Sequence, residues 1–377
     1  MKGDRISRTQ LMALFWAGVM GPAAEFLPGL LLPWAEKSSW LAVALAAPLV
    51  LAGGWFLNRL GAEGGLARGF VETLGPWMGR GAILLYMVWA QVLLTQRLWA
   101  CARRLLASGN RDGSMWFFLI AAAVVLAWMG SGKLGAFARA GQIFLTALLV
   151  ASLVVLGLSL VQARPERILP LDWGDGLSWT RAIWNAAGVM GWGLFAAFLL
   201  GAVSDQGEKK GWHWLFWGLG GSLLLAAAQA VVLGNLGVGL AMRLENPFFA
   251  LAKSVGVEGA FQRVESMISA LWTFADLAMG GILVFAIRIM AEELVPKKKS
   301  SPIAFAAVGL AVLGGLILFP REEIRDWLDG EILAVGNLIL GAVLPGLLCL
   351  LKKGSHTASK EGISCDQNKS QMEDVGD

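Results

Sequence analysis

Long apolar stretches, each about as long as one membrane crossing, alternate with short polar segments along the chain. An α-helix needs about 20 apolar residues to cross the hydrocarbon core of a bilayer. The strands of a membrane β-barrel would be about 10 residues long and alternate in polarity. The pattern therefore predicts an all-α integral membrane protein with ten transmembrane helices. The predicted spans are 9–33, 38–60, 79–106, 114–130, 134–162, 181–203, 212–240, 264–294, 302–319 and 331–351.

The overall composition agrees with a membrane protein of many spans. Of the 377 residues, 56% are hydrophobic and 15% are charged, whereas a soluble domain of this length would carry far more polar surface. The net charge of +4 comes from basic residues that lie between the apolar stretches, which disfavours nucleic-acid binding. We expect a membrane domain at residues 1–353 and a disordered cytoplasmic tail at residues 354–377.

The distribution of lysine and arginine predicts the orientation in the membrane. Placing both termini inside puts 18 basic residues in inner segments and 13 in outer segments, and an excess of basic residues favours the inner side. The end of the third span does not fit, because Arg97, Arg103, Arg104 and Arg111 fall on the outer side. Either these arginines face the protein interior or the predicted boundaries are displaced.

The few cysteines and histidines argue against a metal centre. Cys101, Cys349 and Cys365 have no paired spacing, and His213 and His356 lie far apart. Structural zinc sites need four such ligands at characteristic spacings. We predict neither a cofactor nor a metal, and the chain also carries no residue cluster typical of an intramembrane enzyme.

Spans one and six carry residues that interrupt helices, and each is the first span of a half of five spans. Span one contains Gly21-Pro22 and Pro28-Gly29, and proline removes a backbone donor from a helix. Span six contains Gly188, Gly191 and Gly193, for which close helix packing is the alternative explanation. An interrupted first span in each half is typical of transporters built from inverted repeats around a midplane site. This pattern predicts a 5+5 arrangement with broken helices one and six, in which the repeats are residues 9–162 and 181–351.

Two acids lie where no loop can hold them, Glu25 in span one and Asp276 in span eight. A charge at mid-membrane costs at least a few kcal/mol, so it faces a cavity or a partner. The alternative is a protonated or hydrogen-bonded acid inside the bundle. Together with the interrupted helices, these acids predict a ligand site between spans one, three, six and eight. The predicted ligand-binding residues are Gly21, Pro22, Glu25, Tyr86, Gln91, Gly188, Gly191, Trp192, Gly193, Thr273 and Asp276.

Each part of this predicted site has a chemical role. Backbone N–H groups at the breaks would bind the carboxylate of a small zwitterion, and Glu25 would bind its ammonium group. Trp192 would cover the ligand, and Tyr86 and Gln91 would form a wall. Packing is the alternative for Trp192, an interfacial anchor for Tyr86, and a helix–helix hydrogen bond for Gln91.

Several local strings follow one another from about Ile6 to Lys353, and they contain Gly21, Leu27, Pro28, Arg97, Arg139, Pro170, Gly174, Gly176, Pro247, Arg263, Glu265, Trp272, Phe319 and Pro320. In this order and spacing, these positions together resemble the spore-germination receptor B-subunit family. That family commonly has an acid two residues after the span-six glycine, where this chain has Gly193, and an apolar residue where this chain has Glu25. The ligand chemistry is therefore expected to differ from that of other members.

The resemblance implies a fold, a function and partners. The fold is that of the amino acid–polyamine–organocation superfamily, which is LeuT-like. The function is that of a membrane-embedded subunit that recognises a nutrient germinant, often an amino acid, in the inner membrane of a bacterial spore. Its partners would be an A-type membrane subunit and a C-type lipoprotein. A secondary amino-acid transporter, in which Glu25 or Asp276 could carry a proton, is the alternative that the residues leave open.

Overall fold

The structure is a computed structural model in which the regular elements are helices. Within the described residues, the one strand-like contact is an isolated bridge between Ile6 and Val203. The predicted tail at 354–377, together with His356 and Cys365, lies outside the described residues. The structure describes residues 5–61, 64–107, 113–169, 171, 174–204, 212–254, 264–295, 300–319 and 321–351.

Helices cover each of the ten predicted spans. The sixth predicted span combines α6 with a 3₁₀ helix, Gly191–Ala202, and the tenth combines π turns at Leu328–Ile332 and Ile339–Val343 with α turns. The α-helices are α1 (Arg8–Ala35), α2 (Ser39–Gly61), α3 (Leu66–Ala107), α4 (Met115–Ser131), α5 (Leu134–Leu160), α6 (Gly176–Met190), α7 (Trp212–Leu236), α8 (Val238–Ala241), α9 (Pro247–Ser254), α10 (Val264–Leu294), α11 (Ser300–Leu318), α12 (Glu322–Trp327) and α13 (Leu333–Leu338).

Most of these helices are suited to a membrane by length and composition. Seven helical segments of the described chain are long and apolar enough to cross a bilayer, and the first of them contains both α1 and α2. Two shorter apolar helices, α4 and most of α11, accompany them. An all-α integral membrane protein is therefore confirmed, whereas the number of ten crossings and the two repeat boundaries stay predictions.

The predicted break in the first span is wrong for this structure. α1 runs as one helix from Arg8 to Ala35 with Pro22, Pro28 and Pro33 inside it. Inside a helix, a proline removes one backbone hydrogen bond and crowds the carbonyl group four residues earlier. Membrane helices tolerate this where neighbouring helices and local adjustments satisfy the freed backbone groups. Most of α1 is buried against other helices, and this packing keeps the helix continuous where its own hydrogen bonding is weakened.

The predicted break in the sixth span is confirmed as a change of helix type. α6 ends at Met190, and the chain continues as the 3₁₀ helix from Gly191 to Ala202. The start of α6 is capped by Asp175, whose side chain accepts a hydrogen bond from the N–H of Ser178. Hydrogen bonds from the side chain and from the backbone of Ser178 lower the pKa of that exposed carboxyl. The change of type lies deep in the bundle, since most of the segment 176–202 is buried.

The central helices approach each other through small residues. A methyl group on Gly18 of α1 would lie 3.1 Å from the side chain of Ile282 on α10. One on Gly21 would lie 3.3 Å from the Cβ of Ala275 on the same helix. Small residues at such crossings allow membrane helices to pack closely. α1 and α10 therefore pack closely, and the C-terminal end of α3, which carries Arg97 and Arg104, lies beside them.

Candidate functional site

Four charged side chains meet in the interior where α1, α3 and α10 cross, and we call them the charged cluster: Glu25, Arg97, Arg104 and Asp276. Arg97 forms a close ion pair with Glu25, and its second nitrogen lies 3.4 Å from Asp276. Arg104 forms a close ion pair with Asp276 and lies 3.9 Å from Glu25. Two acids and two guanidinium groups balance, so the charged cluster has no net charge.

The charged cluster is closed off from solvent. The side chains of Arg97 and Asp276 are 1% and 3% exposed, and that of Glu25 is 11% exposed. An unpaired charge at this depth would be costly, and the paired arrangement avoids that cost. Glu25 is the most exposed member of the charged cluster.

Two aromatic rings hold Arg97 in place. Its guanidinium lies 5.5 Å from the ring centre of Phe26 on α1 and 5.2 Å from that of Trp192 in the 3₁₀ segment. The two rings stack on each other at 6.0 Å. Cation–π contacts of this kind are stronger when water is excluded. They bring the 3₁₀ segment to the charged cluster, so four of the central segments meet at one point.

A polar chain connects the charged cluster with the outer surface. The side chain of Gln96 accepts a hydrogen bond from Arg97 and donates one to Asp329, each 3.0 Å long. Asp329 in turn lies 3.5 Å from Arg103, which lies 3.6 Å from the exposed Glu245. These groups lie along the C-terminal end of α3. The polar chain offers charged and polar groups from the surface down to Arg97.

Among the predicted ligand residues, the structure brings Gly21, Glu25, Trp192 and Asp276 together. A methyl group on Gly21 would lie 3.4 Å from a guanidinium nitrogen of Arg97 and from a carboxylate oxygen of Asp276. Gly21 therefore leaves the space that the charged cluster fills. Pro22 is buried next to it on α1, and Thr273 is half-buried one turn before Asp276.

Tyr86 and Gln91 do not reach the charged cluster. The hydroxyl of Tyr86 donates to the carbonyl oxygen of Leu340 over 2.5 Å, and its ring packs in an aromatic group. The amide of Gln91 donates to the carbonyl oxygen of Ala307 on α11 over 3.0 Å. Tyr86 also lies 11 residues before Arg97 on α3, which is about 16 Å along a helix. These contacts match a helix–helix hydrogen bond for Gln91, whereas Tyr86 is a core residue and not an interfacial anchor.

The three glycines of the sixth span contact other helices. A methyl group on Gly188 would lie 2.1 Å from the carbonyl oxygen of Ala334, and one on Gly193 would lie 2.2 Å from the ring of Phe15. Gly191 lies against Asn337. Close packing, the alternative named for these glycines, accounts for their contacts. A role for them in ligand binding stays a prediction.

Gly191 also lines an apolar cavity of about 70 Å³ between α1, α2, α6 and α13. The single side-chain amide on its wall belongs to Asn337. That amide already accepts a hydrogen bond from Trp89 and donates one to the carbonyl oxygen of Gly188. The cavity thus presents apolar side chains and no charged group, and a zwitterion would lose its hydration there without replacement.

The residues shared with the family motifs have different environments. Pro28 and Pro247 are buried, and the latter begins α9, while Trp272 packs its ring on Phe248. Arg139 is exposed on α5, and its role as an anchor stays a prediction. Four further motif residues lie outside the part of the chain that the structure describes. They are Pro170, Arg263 and Pro320, together with the side chain of Glu265.

Sequence reasoning missed Arg104, Gln96 and Phe26 as parts of this site, and it assigned Arg97 to a structural motif. A signal for both arginines was available in the charge distribution. Too many arginines fall on the outer side at the end of the third span, and two intramembrane acids have no assigned partner. Arg97 and Arg104 do face the interior, so the first of the two explanations for that misfit is correct for them.

Cysteine, histidine and acidic side chains give no metal centre in the described part of the chain. No three of them lie close enough together there to hold an ion. Cys101 and Cys349 are buried free thiols. The charged cluster thus stands as the candidate site on the basis of its ion pairs alone.

Replacing Gly21 with leucine is expected to lower the melting temperature by about 5 °C or more. The larger side chain must displace Arg97 and Asp276, which breaks buried ion pairs. Gly29→Leu on the same helix is the matched control, because Gly29 is exposed and has no neighbouring atom within 4 Å of the added carbon. Thermal unfolding of the purified proteins measures both changes. Equal melting temperatures for the two variants would show that Gly21 does not support the charged cluster.

Comparison with known proteins gives one family and one fold. The model of the family described as spore germination protein (Spore_permease) matches residues 5–324. No curated protein matches the chain. Among solved structures, the crystal structure of MhsT in complex with L-phenylalanine is similar, with a TM-score of 0.68 and 14% identity over 92% of this chain and 90% of that chain. The predicted LeuT-like transporter fold is thereby confirmed.

Proposed function

Because this chain belongs to the spore germination protein family, we propose that it is the membrane-embedded subunit of a germinant receptor that recognises a nutrient. The nutrient is a small amino acid, bound at the charged cluster. The fold supports this proposal, since the similar protein MhsT was crystallised with L-phenylalanine. The position of the charged cluster supports it as well, because a central site between helices suits a LeuT-like bundle.

The single observation that carries the proposal is the paired set of charges at the crossing of α1, α3 and α10. Arg97 offers a guanidinium for a carboxylate, and Glu25 and Asp276 offer carboxylates for an ammonium group. An amino acid carries both complementary groups a few bonds apart. Phe26 and Trp192 add apolar surface beside Arg97 for the rest of the ligand.

Recognition would act through a change of conformation. A ligand that binds one arrangement of the bundle more tightly shifts the population toward that arrangement. The charged cluster joins helices from both predicted repeats, so an exchange of its ion pairs changes contacts between the two halves. We propose that an A-type membrane subunit and a C-type lipoprotein detect this change in the inner membrane of the spore.

Secondary transport of an amino acid is the alternative, and the fold favours it as a second candidate. A transporter and a sensor share this architecture, because a fold does not determine its function. Transport requires the site to open to both sides in turn, whereas sensing requires only a change that the partners detect. The two functions therefore differ in solute accumulation rather than in binding.

The test of the proposed function is a binding measurement on the full chain in lipid nanodiscs with the twenty standard amino acids. We expect at least one of them to raise the melting temperature in a saturable way. Proteoliposomes loaded with the same protein then separate the two candidates, because a sensor does not accumulate the labelled amino acid inside. Accumulation would favour the transporter. The absence of any binding by the twenty amino acids would contradict the proposed amino-acid ligand.

A further inference from the structure

We propose that the charged cluster selects amino acids of zero net charge by exchanging its own ion pairs with the ligand. This inference rests on the proposed function, and it adds the class of amino acid and the way in which it is held. The ligand carboxylate replaces Glu25 on Arg97, and the ligand ammonium group is bound by the released Glu25. Arg104 and Asp276 keep their own pair.

The first support comes from the continuous helix at the centre. Within α1 the N–H groups around Gly21 belong to an uninterrupted helix, so the backbone at this point is engaged in helical hydrogen bonds. A carboxylate that enters the bundle must then find its donors on side chains. Arg97 presents its guanidinium there, held by the rings of Phe26 and Trp192 and by the amide of Gln96.

The second support is the charge balance. The charged cluster contains two acids and two arginines, its arginines are at most 7% exposed, and its acids at most 11%. A zwitterion leaves this balance at zero, because it brings one positive and one negative group. A ligand with an additional charge would leave that charge buried without a partner, which is strongly unfavourable at this depth.

The third support is the set of side chains that surrounds the cluster. Arg97 is flanked by Phe26 and Trp192, and Arg104 lies 5.3 Å from the ring of Phe249. Asp329 and Arg103, the next charged groups toward the surface, pair with each other. The aromatic rings carry no charge and these two charged groups are already paired, so none of these neighbours supplies a partner for an extra charge on the ligand.

The test uses two pairs of amino acids that differ in charge at similar size: L-glutamine with L-glutamate, and L-norleucine with L-lysine. Binding is measured in nanodiscs by thermal shift and by competition. For the parent protein we expect the neutral member of each pair to bind at least about 100-fold more tightly. Glu25→Gln leaves an excess positive charge, so its preference should move toward glutamate. Arg104→Gln leaves an excess negative charge, so its preference should move toward lysine.

Matched controls and a double variant keep the test decisive. Glu72→Gln and Arg68→Gln change the same charges in a surface ion pair of α3 and should keep the parent's preferences. The double variant Glu25→Gln/Arg104→Gln restores a neutral cluster and should restore the preference for neutral ligands. It tests the charge balance even if one of the single variants does not fold. The inference would be overturned if the parent protein bound the charged and neutral members of a pair equally well. It would also be overturned if the charge variants kept the parent's preferences. Either result would leave the proposed function in place. A parent that binds none of the twenty standard amino acids would instead contradict the proposed function.

Discussion

Replacing Arg97 with glutamine is expected to abolish amino-acid binding and to lower the stability of the protein. Arg97 pairs with both Glu25 and Asp276, and its guanidinium also lies over the rings of Phe26 and Trp192. Its loss removes the donor for the ligand carboxylate and leaves a buried acid without a partner. Removing one member of a buried ion pair costs about 3–5 kcal/mol of folding stability. Losing the charged partner of the ligand carboxylate costs about 2–5 kcal/mol of binding free energy, which is a loss of affinity of about 30-fold or more.

The measurement for Arg97 is a binding titration together with thermal unfolding in nanodiscs. Arg97→Lys keeps the charge but loses the planar, bidentate geometry, so we expect it to bind weakly rather than not at all. Arg59→Gln is the control, because Arg59 lies over the exposed ring of Trp55 and outside the charged cluster. A folded Arg97→Gln protein with the affinity of the parent would exclude Arg97 as the carboxylate-binding residue.

The substitution Gly188→Ala is expected to lower the stability of the protein. The new methyl group would lie 2.1 Å from the carbonyl oxygen of Ala334, so α6 and α13 must move apart. The contacted atoms belong to the backbone of α13, so the clash cannot be relieved by rotating a side chain. Overpacking of this kind costs about 1–3 kcal/mol and more where only the backbone can yield, so the melting temperature should fall by about 5 °C or more.

The control for Gly188→Ala is Gly220→Ala in α7, where no atom lies within 4 Å of the added carbon. Alanine favours a helix over glycine by about 1 kcal/mol, so this control should be neutral or slightly stabilising. Thermal unfolding and the yield of monodisperse protein report both changes. If the two variants melt at the same temperature, the close contact between α6 and α13 is not present in the folded protein.

The membrane spans were the part of the fold that the sequence could predict. Apolar stretches of bilayer length follow directly from the thickness of the membrane, so residue ranges such as 114–130 and 134–162 fall within one or two residues of α4 and α5. The change of helix type at Gly191 was also predictable, because a group of glycines weakens a helix. These features depend on local sequence.

The site could be predicted only in part, because its ion pairs form between residues that are far apart in the sequence. Glu25 and Asp276 were recognisable as costly acids, but their pairing with Arg97 and Arg104 depends on how α3 lies against α1 and α10. Tyr86 shows the same limit, since its hydroxyl reaches Leu340, which is 254 residues away.

The local sequence also misled the prediction for α1. The pairs Gly21-Pro22 and Pro28-Gly29 argue for an interruption, whereas the helix is continuous and most of it is buried against its neighbours. The continuity of α1 also affects the site. Because its backbone N–H groups are engaged in the helix, the proposed donor for a ligand carboxylate is the side chain of Arg97. Tertiary packing, and not local propensity, therefore decides which groups are available to a ligand.

In the proposed complex, side-chain charges hold the amino acid, and the backbone of an open helix does not. An experimental structure of the full chain in nanodiscs, with the amino acid that gives the largest thermal shift, tests this arrangement. We expect the ligand carboxylate within about 3 Å of the Arg97 guanidinium and the ammonium group on Glu25, with α1 continuous through Gly21. A ligand whose carboxylate lies on backbone N–H groups of α1, with the Arg97–Glu25 pair intact, would contradict it.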